Sequence, residues 1–320
     1  MTKLLTDRPG CMMNLSGLGR CGRWLWLATV LVLVQACQDN TSELTGPLDV
    51  VNPPEQGGTR ANDSILTVIT ALAPPSSCLR TVNASTVSEF TSALSHALPG
   101  DCILLAAGTY SLNSTLTIKR SGIADAPIVV QGAGSSTVID VNKRGVFVDA
   151  SYFQLRRLRL TNFNTVGLWL RGVTGVVIDS VEVDHTLQEA VALKYGSHHN
   201  IVKNSLFHDT GILYPQYGEG ISVGGKTRDG LALDFGATDN QVLNNHFGPN
   251  VRTAAVLASE GADRTLIRGN FFDGENATWV PLANAAFVSV IANDVTIDSN
   301  FMRFGHIHGV SFIKPVTRTM

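Results

Sequence analysis

The sequence predicts an all-β chain that folds as a parallel β-helix, a solenoid of stacked coils. Two short patterns recur from about residue 144 to residue 313, and Asn, Gly, Asp and Ser separate the copies. The copies have no helical periodicity. A unit this short cannot bury its own apolar face, so neighbouring units must stack to form a core.

The first pattern is a short strand that in most copies begins with a small residue. Apolar residues alternate with variable ones, which is the signature of a strand with one buried face. The copies are residues 167–171, 190–194, 220–224, 287–291 and 309–313. We therefore expect the outward side chains of successive copies to form columns.

The second pattern follows each copy and has apolar residues at its second and seventh positions. The copies are residues 177–183, 201–207, 241–247, 266–272 and 296–302. Asn245, Asn270 and Asn300 share one column, and Ser205 takes the same place one coil earlier. A side-chain amide at a tight turn tolerates left-handed backbone and can hydrogen-bond the equivalent residue one coil away. This column predicts an asparagine ladder.

A short amphipathic helix is expected to cap the first coil. The sequence Thr86-Val87-Ser88-Glu89 is a capping box, and Pro99-Gly100 provides a stop signal. Apolar residues recur between them at helical spacing: Phe90, Ala93, Leu94, Ala97 and Leu98. Without a cap, the end of a solenoid would expose strand edges and core.

Composition indicates one large domain behind an export segment. The chain has 320 residues, a net charge of −2, 16% charged residues and 44% hydrophobic residues. This charge gives no indication of nucleic acid as a partner, and we expect a monomer. Five cysteines are too few for a disulfide scaffold.

Residues 1–37 have the pattern of an export signal, in which Arg20 and Arg23 precede an apolar run over residues 24–34. That run is about half the length of a membrane span. It ends in Val34-Gln35-Ala36-Cys37, which resembles a bacterial lipobox. The resemblance implies lipid attachment at Cys37 and a membrane anchor. The alternative is ordinary cleavage near Ala36, which leaves Cys37 as an incidental thiol.

Residues 38–80 are rich in Asn, Thr, Ser, Gly and Pro and are typical of a flexible tether. The expected location is the outer membrane or cell surface for a lipoprotein, and otherwise the periplasm or the extracellular space. Residues 81–320 form the predicted solenoid. Its last coil is either truncated or covered by residues 314–320. In an exported protein, Cys78 and Cys102 can form a disulfide that ties the tether to the first coil.

Candidate site residues follow from the outward columns, where neighbours in adjacent coils lie about 4.8 Å apart. The residue just before each copy of the first pattern forms one column, and in this column Glu189 and Glu219 are neighbours. Two carboxylates so close either share a proton or bind a cation, and Ca²⁺ is the natural candidate because it is a hard ion. The last outward position of the strand places Arg171 beside Lys194. Trp169 lies on the same outward face, and aromatic faces suit sugar rings.

Together these patterns resemble the right-handed parallel β-helix proteins of the pectate-lyase-like superfamily over about residues 81–320. The fold implied is a single-stranded right-handed parallel β-helix. The stretch from Gly100 to Tyr110 resembles the start of many β-helix polysaccharide lyases. The segment Tyr217-Gly218-Glu219-Gly220-Ile221-Ser222-Val223-Gly224 resembles a "YGEGIYIGS" segment of secreted proteins in this superfamily. The resemblance is more specific for fold than for activity.

The resemblance implies that the chain acts on acidic polysaccharide by β-elimination. In such lyases, calcium or basic groups neutralise a uronate carboxylate, and a Lys or Arg removes the C5 proton. Carried over to this chain, Lys194 is the base candidate and Arg171 is the carboxylate partner. Glu189 and Glu219 are the calcium ligands.

The long gap between Val223 and Asn240 begins beside the expected groove and contains Lys226 and Arg228. It is either a substrate-contacting loop or a plain surface excursion. The chain departs from the resemblance in the next coils, where charge is expected on the first strand. The residues there are uncharged: Leu257, Ser259, Ser289 and Ile291. The site is therefore either compact or has lost catalysis, and the alternative function is a non-catalytic polysaccharide-binding or adhesive β-helix.

Overall fold

In the computed structural model, the described part of the chain comprises residues 78–226, 233–234, 236–275, 286–303 and 308–313. The expected signal, the lipobox cysteine Cys37 and nearly all of the tether lie outside these residues, as does Arg228. Among the described residues, no helix has the length and apolar character needed to cross a membrane.

Regular structure in the described residues is almost entirely β-strand. The first half contains β1 (Arg80–Ala84), α1 (Val87–Ser95), β2 (Asp101–Leu105), β3 (Gly108–Ser111), β4 (Leu116–Ile118), β5 (Ile128–Gln131), β6 (Thr137–Lys143), β7 (Val146–Val148), β8 (Phe153–Phe163), β9 (Leu168–Arg171), β10 (Val177–Val183), β11 (Val191–Lys194), β12 (Ile201–Lys203) and β13 (Leu206–Phe207). The second half contains a 3₁₀ turn (Pro215–Tyr217), β14 (Ile221–Val223), β15 (Gly225–Lys226), β16 (Leu233–Asp234), β17 (Gln241–Leu243), β18 (His246–Phe247), β19 (Val256–Ala258), β20 (Leu266–Arg268), β21 (Phe271–Asp273), β22 (Ala286–Val290), β23 (Thr296–Asp298), β24 (Phe301–Arg303) and β25 (His308–Phe312).

The strands stack coil upon coil in parallel ladders. An eight-stranded sheet has the order β25-β22-β19-β14-β11-β9-β7-β4, and every step pairs one coil with the next. A fifteen-stranded sheet follows β1-β2-β5-β8-β10-β12-β17-β20-β23, with further rungs through β13, β18, β21 and β24. The antiparallel exception among the named strands is the β15–β16 hairpin. The predicted parallel β-helix is confirmed.

The core lies between the sheets and is filled by equivalent residues from successive coils. The rings of Phe207, Phe247 and Phe272 stack at centroid distances of 5.3 and 5.2 Å. Small residues begin the repeated strands because neighbouring coils approach closely there. A Cβ at Gly220 would lie 2.6 Å from the Phe247 ring, and one at Gly167 would lie 2.4 Å from the Ala190 carbonyl oxygen.

Helix α1 covers the first coil as predicted. Its capping box is complete: the Glu89 amide donates to Thr86 Oγ1, and the Thr86 amide donates to the Glu89 carboxylate. Phe90 and Leu94 are buried against the core. The prediction for Leu98 was wrong, because this side chain is 56% exposed. The helix ends at Ser95, and the Leu98 amide instead donates to the Asp101 carboxylate at 2.7 Å.

The asparagine ladder is present in hydrogen-bonded form. Asn270 Oδ1 accepts from the Asn245 amide at 2.8 Å and from Asn245 Nδ2 at 3.1 Å. Asn300 Oδ1 accepts from Asn270 in the same way at 2.9 and 3.0 Å. Each amide group also donates to a backbone carbonyl, that of Val242 in the case of Asn270. These side chains bond the polar backbone groups of a buried turn across the coils.

The backbone conformation expected for the ladder residues belongs to the preceding position instead. The left-handed residues are Asn204 (φ 51°), Asn244 (φ 52°), Gly269 (φ 68°) and Ser299 (φ 54°). Short polar residues and glycine suit this conformation. The turn therefore divides the two tasks between adjacent residues, one left-handed and the next hydrogen-bonding.

A disulfide joins Cys78 to Cys102, with a Cα–Cα distance of 5.6 Å. Cys102 lies in β2, which pairs with β1 in parallel register. The bond therefore fixes the start of the described chain to the second strand of the solenoid.

Replacing Asn270 with Ala should lower the free energy of unfolding by about 3 kcal/mol, because it leaves buried backbone and side-chain groups without partners. Urea unfolding followed by circular dichroism measures the change. The control is Asn164→Ala, since Asn164 is exposed and its side chain donates to the Asn142 carbonyl at a long distance of 3.3 Å. Its effect should stay below about 0.5 kcal/mol. Equal effects of the two substitutions would contradict a structural role for the ladder.

Candidate functional site

A groove of about 720 Å³ runs over the outer face of the eight-stranded sheet. Its floor comes from the middle outward position of successive strands, which places Trp169, Ala192, Ser222 and Leu257 in adjacent rungs. Residues at the two ends of these strands provide the charged groups of the groove. The expected columns of outward residues therefore meet in one concave surface.

Glu189 and Glu219 lie on successive coils at the same end of the strands. The Ala190 amide donates to the Glu219 carbonyl at 3.0 Å, and the Gly167 amide donates to the Glu189 carbonyl at 2.9 Å. Both residues line the groove. Their side chains are close enough for the charge of Glu189 to act on Glu219.

Burial dominates the electrostatics of this pair. Glu219 is only 5% exposed, and its Oε2 makes no hydrogen bond of ordinary geometry within the described part of the chain, although the nearby Thr253 hydroxyl favours its charged form. Desolvation, followed by repulsion from Glu189, raises the pKa of Glu219 to about 8. Desolvation also raises the pKa of Glu189, and the positive charge of Lys194 opposes this effect. The groove therefore favours a proton or a cation at Glu219.

Lys194 ends β11 at the opposite side of the groove. Its half-buried ammonium group donates to Ser222 Oγ at 2.8 Å and to the Gly224 carbonyl. Both partners come from the next coil, so the stacking of β14 on β11 orients this side chain. Lys194 also stabilises the charged forms of both glutamates.

Arg171 stands directly beside Lys194 in the ladder, as expected, but the groove residues do not include it. Its Nε donates to Asp149 Oδ1 at 2.6 Å, its Nη2 contacts the second oxygen of that carboxylate, and its guanidinium lies 4.3 Å from the centre of the Phe147 ring. The ion pair with Asp149 offsets the charge of Arg171. This geometry favours a role in holding the groove wall over direct contact with a ligand.

Trp169 forms part of the groove floor and is 9% exposed. It packs against Val166 and Ala192, and its ring meets that of Phe147 at 5.8 Å in an edge-on arrangement. Little of its face remains for a sugar. Lys226 belongs to the β15–β16 hairpin and follows Gly225, which lines the groove.

Sequence reasoning missed several groove residues. They are Arg144, Gln188, Gln216, Tyr217 and Glu260. Arg144 was detectable, because it occupies the column of Glu189 and Glu219, two coils before Glu189. Glu260 was not, because it lies just beyond its strand, where Ser259 Oγ donates to it at 2.7 Å. Glu260 therefore adds charge to the groove one coil beyond Glu219, although the strand positions of that coil, Leu257 and Ser259, are uncharged.

The fold and this groove can be compared with known proteins. Residues 76–245 match the sequence profile described as "Pel9A-like, right handed beta helix region". The chain belongs to this Pel9A-like family. The right-handed parallel β-helix and the expected resemblance are thereby confirmed.

Individual relatives of this Pel9A-like chain include lyases. It is 25% identical to pectate lyase L of Dickeya chrysanthemi over 176 residues. The aligned region covers 50% of this chain and 38% of that protein. It therefore spans well under half the length of that relative. A crystal structure of alginate lyase from Paenibacillus sp. str. FPU-7 superposes with a TM-score of 0.65 at 29% identity, covering 70% of this chain and 76% of that one. The cedar pollen allergen jun a 1 shares the fold, with a TM-score of 0.50 at 13% identity, over 75% of this chain and 81% of that one.

A second acidic cluster lies elsewhere in this Pel9A-like fold. Ligand atoms of Glu182, Asp184 and His208 lie within 4.8 Å of one another. Arg159 already occupies this cluster, at 3.2 Å from the Glu182 carboxylate and 2.7 Å from the Asp184 carboxylate. Thr161 also donates to Asp184 at 2.6 Å. The cluster is therefore a closed ion network, whereas the glutamate pair in the groove contains the orphaned oxygen that suits a cation.

The raised pKa of Glu219 predicts a pH-dependent stability. Its folded value of about 8 exceeds the ordinary value of 4.5, so the native state holds a proton that the unfolded chain releases. This contribution is fully present below about pH 4.5 and is lost as the pH rises towards 8. With a calcium chelator present, we expect the midpoint of urea unfolding to fall as the pH rises across this window. The fall should be smaller in Glu219→Gln. A profile that the substitution leaves unchanged would contradict the assignment.

Proposed function

We propose that this protein is a polysaccharide lyase that cleaves an acidic, uronate-containing polysaccharide by β-elimination. The observation that carries the proposal is the position of Lys194 in a groove that also holds the paired carboxylates of the half-buried Glu189 and the buried Glu219. The likeness to pectate lyase L and to an alginate lyase supports the substrate class. Both are named for polymers of acidic sugars.

Lys194 is proposed as the base. Its Nζ donates to Ser222 Oγ and to the Gly224 carbonyl, and these contacts orient the side chain in the groove. In the neutral form, Nζ takes the C5 proton of the uronate. The C–H electrons form the C4–C5 double bond as the C4–O bond breaks, and the leaving oxygen is protonated by the Lys194 ammonium or by water. Positioning and electrostatic stabilisation of the carbanion-like state supply most of the rate.

The substrate carboxylate needs positive charge, and the chain offers it in two ways. Arg144 lines the groove and is exposed, so it replaces Arg171 as the better candidate for direct contact. Glu189 and Glu219 fit Ca²⁺, because they are paired carboxylates with an orphaned buried oxygen. Bound there, calcium would neutralise the uronate and acidify its C5–H. Arg171 is retained as a positioning residue through its ion pair with Asp149.

The alternative function is a non-catalytic β-helix that binds polysaccharide. It is favoured by the uncharged rungs after the Glu219 coil, where Leu257 lines the groove and Ser289 is fully buried. A glycan array combined with a turnover assay separates the two functions. Binding without any product would favour the alternative.

The Lys194→Ala variant should lose activity by about a thousandfold, because it removes the base. The measurement is the ultraviolet absorbance of the unsaturated product on pectate, alginate and glycosaminoglycans, with and without calcium. Lys203→Ala is the matched control, since Lys203 lies on the other sheet and pairs with Asp179 at 3.6 Å. No product on any polymer from the wild type, or full activity in Lys194→Ala, would remove the enzyme hypothesis.

We also propose that the protein is exported and carries a lipid on Cys37, which would anchor it to a membrane with the tether as a spacer. The support is the sequence Val34-Gln35-Ala36-Cys37 at the end of an apolar run. In a bacterial host, the full-length chain should incorporate labelled palmitate and sediment with membranes, whereas Cys37→Ser should do neither. Labelling that persists in the variant would exclude this attachment site.

A further inference from the structure

A loop at the rim of the groove displays apolar side chains to solvent. We call residues 210–218 the rim loop. Its exposed large side chains are Ile212, Leu213, Tyr214 and Tyr217. Exposed apolar side chains that cluster in this way commonly mark a binding surface. Tyr217 is 51% exposed and also lines the groove, so the cluster is continuous with the candidate site.

The rim loop is held in place by the coil before it. The amides of Gly211, Ile212 and Tyr214 donate at 3.0–3.1 Å to the carbonyls of residues 186–188. Thr210 Oγ1 donates to the Gly218 carbonyl at 2.5 Å and closes the loop at its base. A ligand that binds a preformed surface loses less free energy to ordering.

Glycine permits this closure. A Cβ at Gly211 would lie 2.6 Å from Gly218 Cα, so the two ends of the loop touch backbone to backbone. The 3₁₀ turn Pro215–Tyr217 then places Gln216 and Tyr217 at the groove, and Tyr217 lies two residues before Glu219. The loop and the buried carboxylate thus belong to one short, rigid segment.

We propose that Gln216 and Tyr217 form a sugar-binding subsite next to the reacting residue of the polysaccharide. The Tyr217 ring would cover the apolar face of one pyranose ring, and the Gln216 amide would hydrogen-bond its hydroxyl groups. An aromatic surface with few convergent polar groups is typical of small-ligand sites. The subsite rests on the proposed function, because it extends the same groove along an acidic polysaccharide.

The continuity of the surface decides the occupant. Tyr217 lines the same groove as Ala192 and Ser222, so a sugar chain that lies on those two residues is placed beside the Tyr217 ring. Leu213 is 58% exposed on the same loop but does not line the groove. It therefore provides a matched control: it shares the loop and the exposure, and it lies outside the proposed path of the sugar chain.

The test measures binding separately from turnover. In the Lys194→Ala background, affinity electrophoresis in gels containing alginate or polygalacturonate gives a dissociation constant for each polymer. Tyr217→Ala should weaken binding of the preferred polymer roughly five- to tenfold, whereas Tyr217→Phe should stay within about twofold of the parent. Leu213→Ala should bind like the parent. In the active background, Tyr217→Ala should raise KM more than it lowers kcat.

The outcomes separate the two proposals. If the parent binds polymer and Tyr217→Ala binds equally well, the subsite is overturned and the proposed function stands. Equal weakening by Tyr217→Ala and Leu213→Ala also overturns the subsite, because the loop then acts as a general apolar patch, as for a protein partner. If neither polymer is bound or cleaved by any form with Lys194 intact, both proposals fail.

Discussion

The parallel register between coils is the constraint on which the rest of this structure depends. Each strand of the eight-stranded sheet pairs with the equivalent strand of the next coil, as Ala192 does with Trp169 on one side and Ser222 on the other. Equivalent positions therefore become neighbours although more than twenty residues separate them in the chain. Glu189 and Glu219 lie together for this reason alone. A shift of one residue would turn both side chains towards the other face.

The chain uses charged residues in two different ways. At the fifteen-stranded sheet, Arg159 pairs with both Glu182 and Asp184, and the rings of His208 and His185 each contact one of these carboxylates, so every carboxylate has polar partners. In the groove, Glu219 is buried with an orphaned oxygen beside a second carboxylate. A buried carboxylate of this kind costs free energy in the empty groove, and a bound cation or positively charged group would offset that cost. Incomplete compensation, rather than the number of charges, distinguishes the candidate site from structural ion pairs.

Much of the fold was predictable because the repeat can be recognised in the amino-acid sequence. The alternation of apolar and variable residues predicted the strands, and the capping box predicted α1. The shared column predicted the ladder of Asn245, Asn270 and Asn300. A second ladder through Asn200 and Asn240, both fully buried, was not predicted, because the residue before the second pattern is asparagine in only these two copies.

For the candidate site, the repeat predicted which residues are neighbours in adjacent coils, but not the contacts that their side chains make. The columns placed Glu189, Glu219 and Lys194 in one groove and Asp149 within reach of Arg171, but they could not show which side chains remain accessible to a ligand. Arg171 pairs with Asp149 and does not line the groove, and Trp169 is buried in a small outer cluster with Val166 and Ala192. Tyr217 and Glu260 enter from turns, whose paths are set by tertiary hydrogen bonds and not by period-two alternation.

The bond between Cys78 and Cys102 has a mechanical consequence. Strand β1 is the outermost rung of its sheet and pairs on one side with β2. Tension applied to the chain ahead of Cys78 would otherwise peel β1 away, one hydrogen bond at a time. The covalent link transmits that load directly to β2, which is held by neighbours on both sides. When the solenoid is pulled from this end, β1 and β2 would bear the load together, and β1 would not separate first.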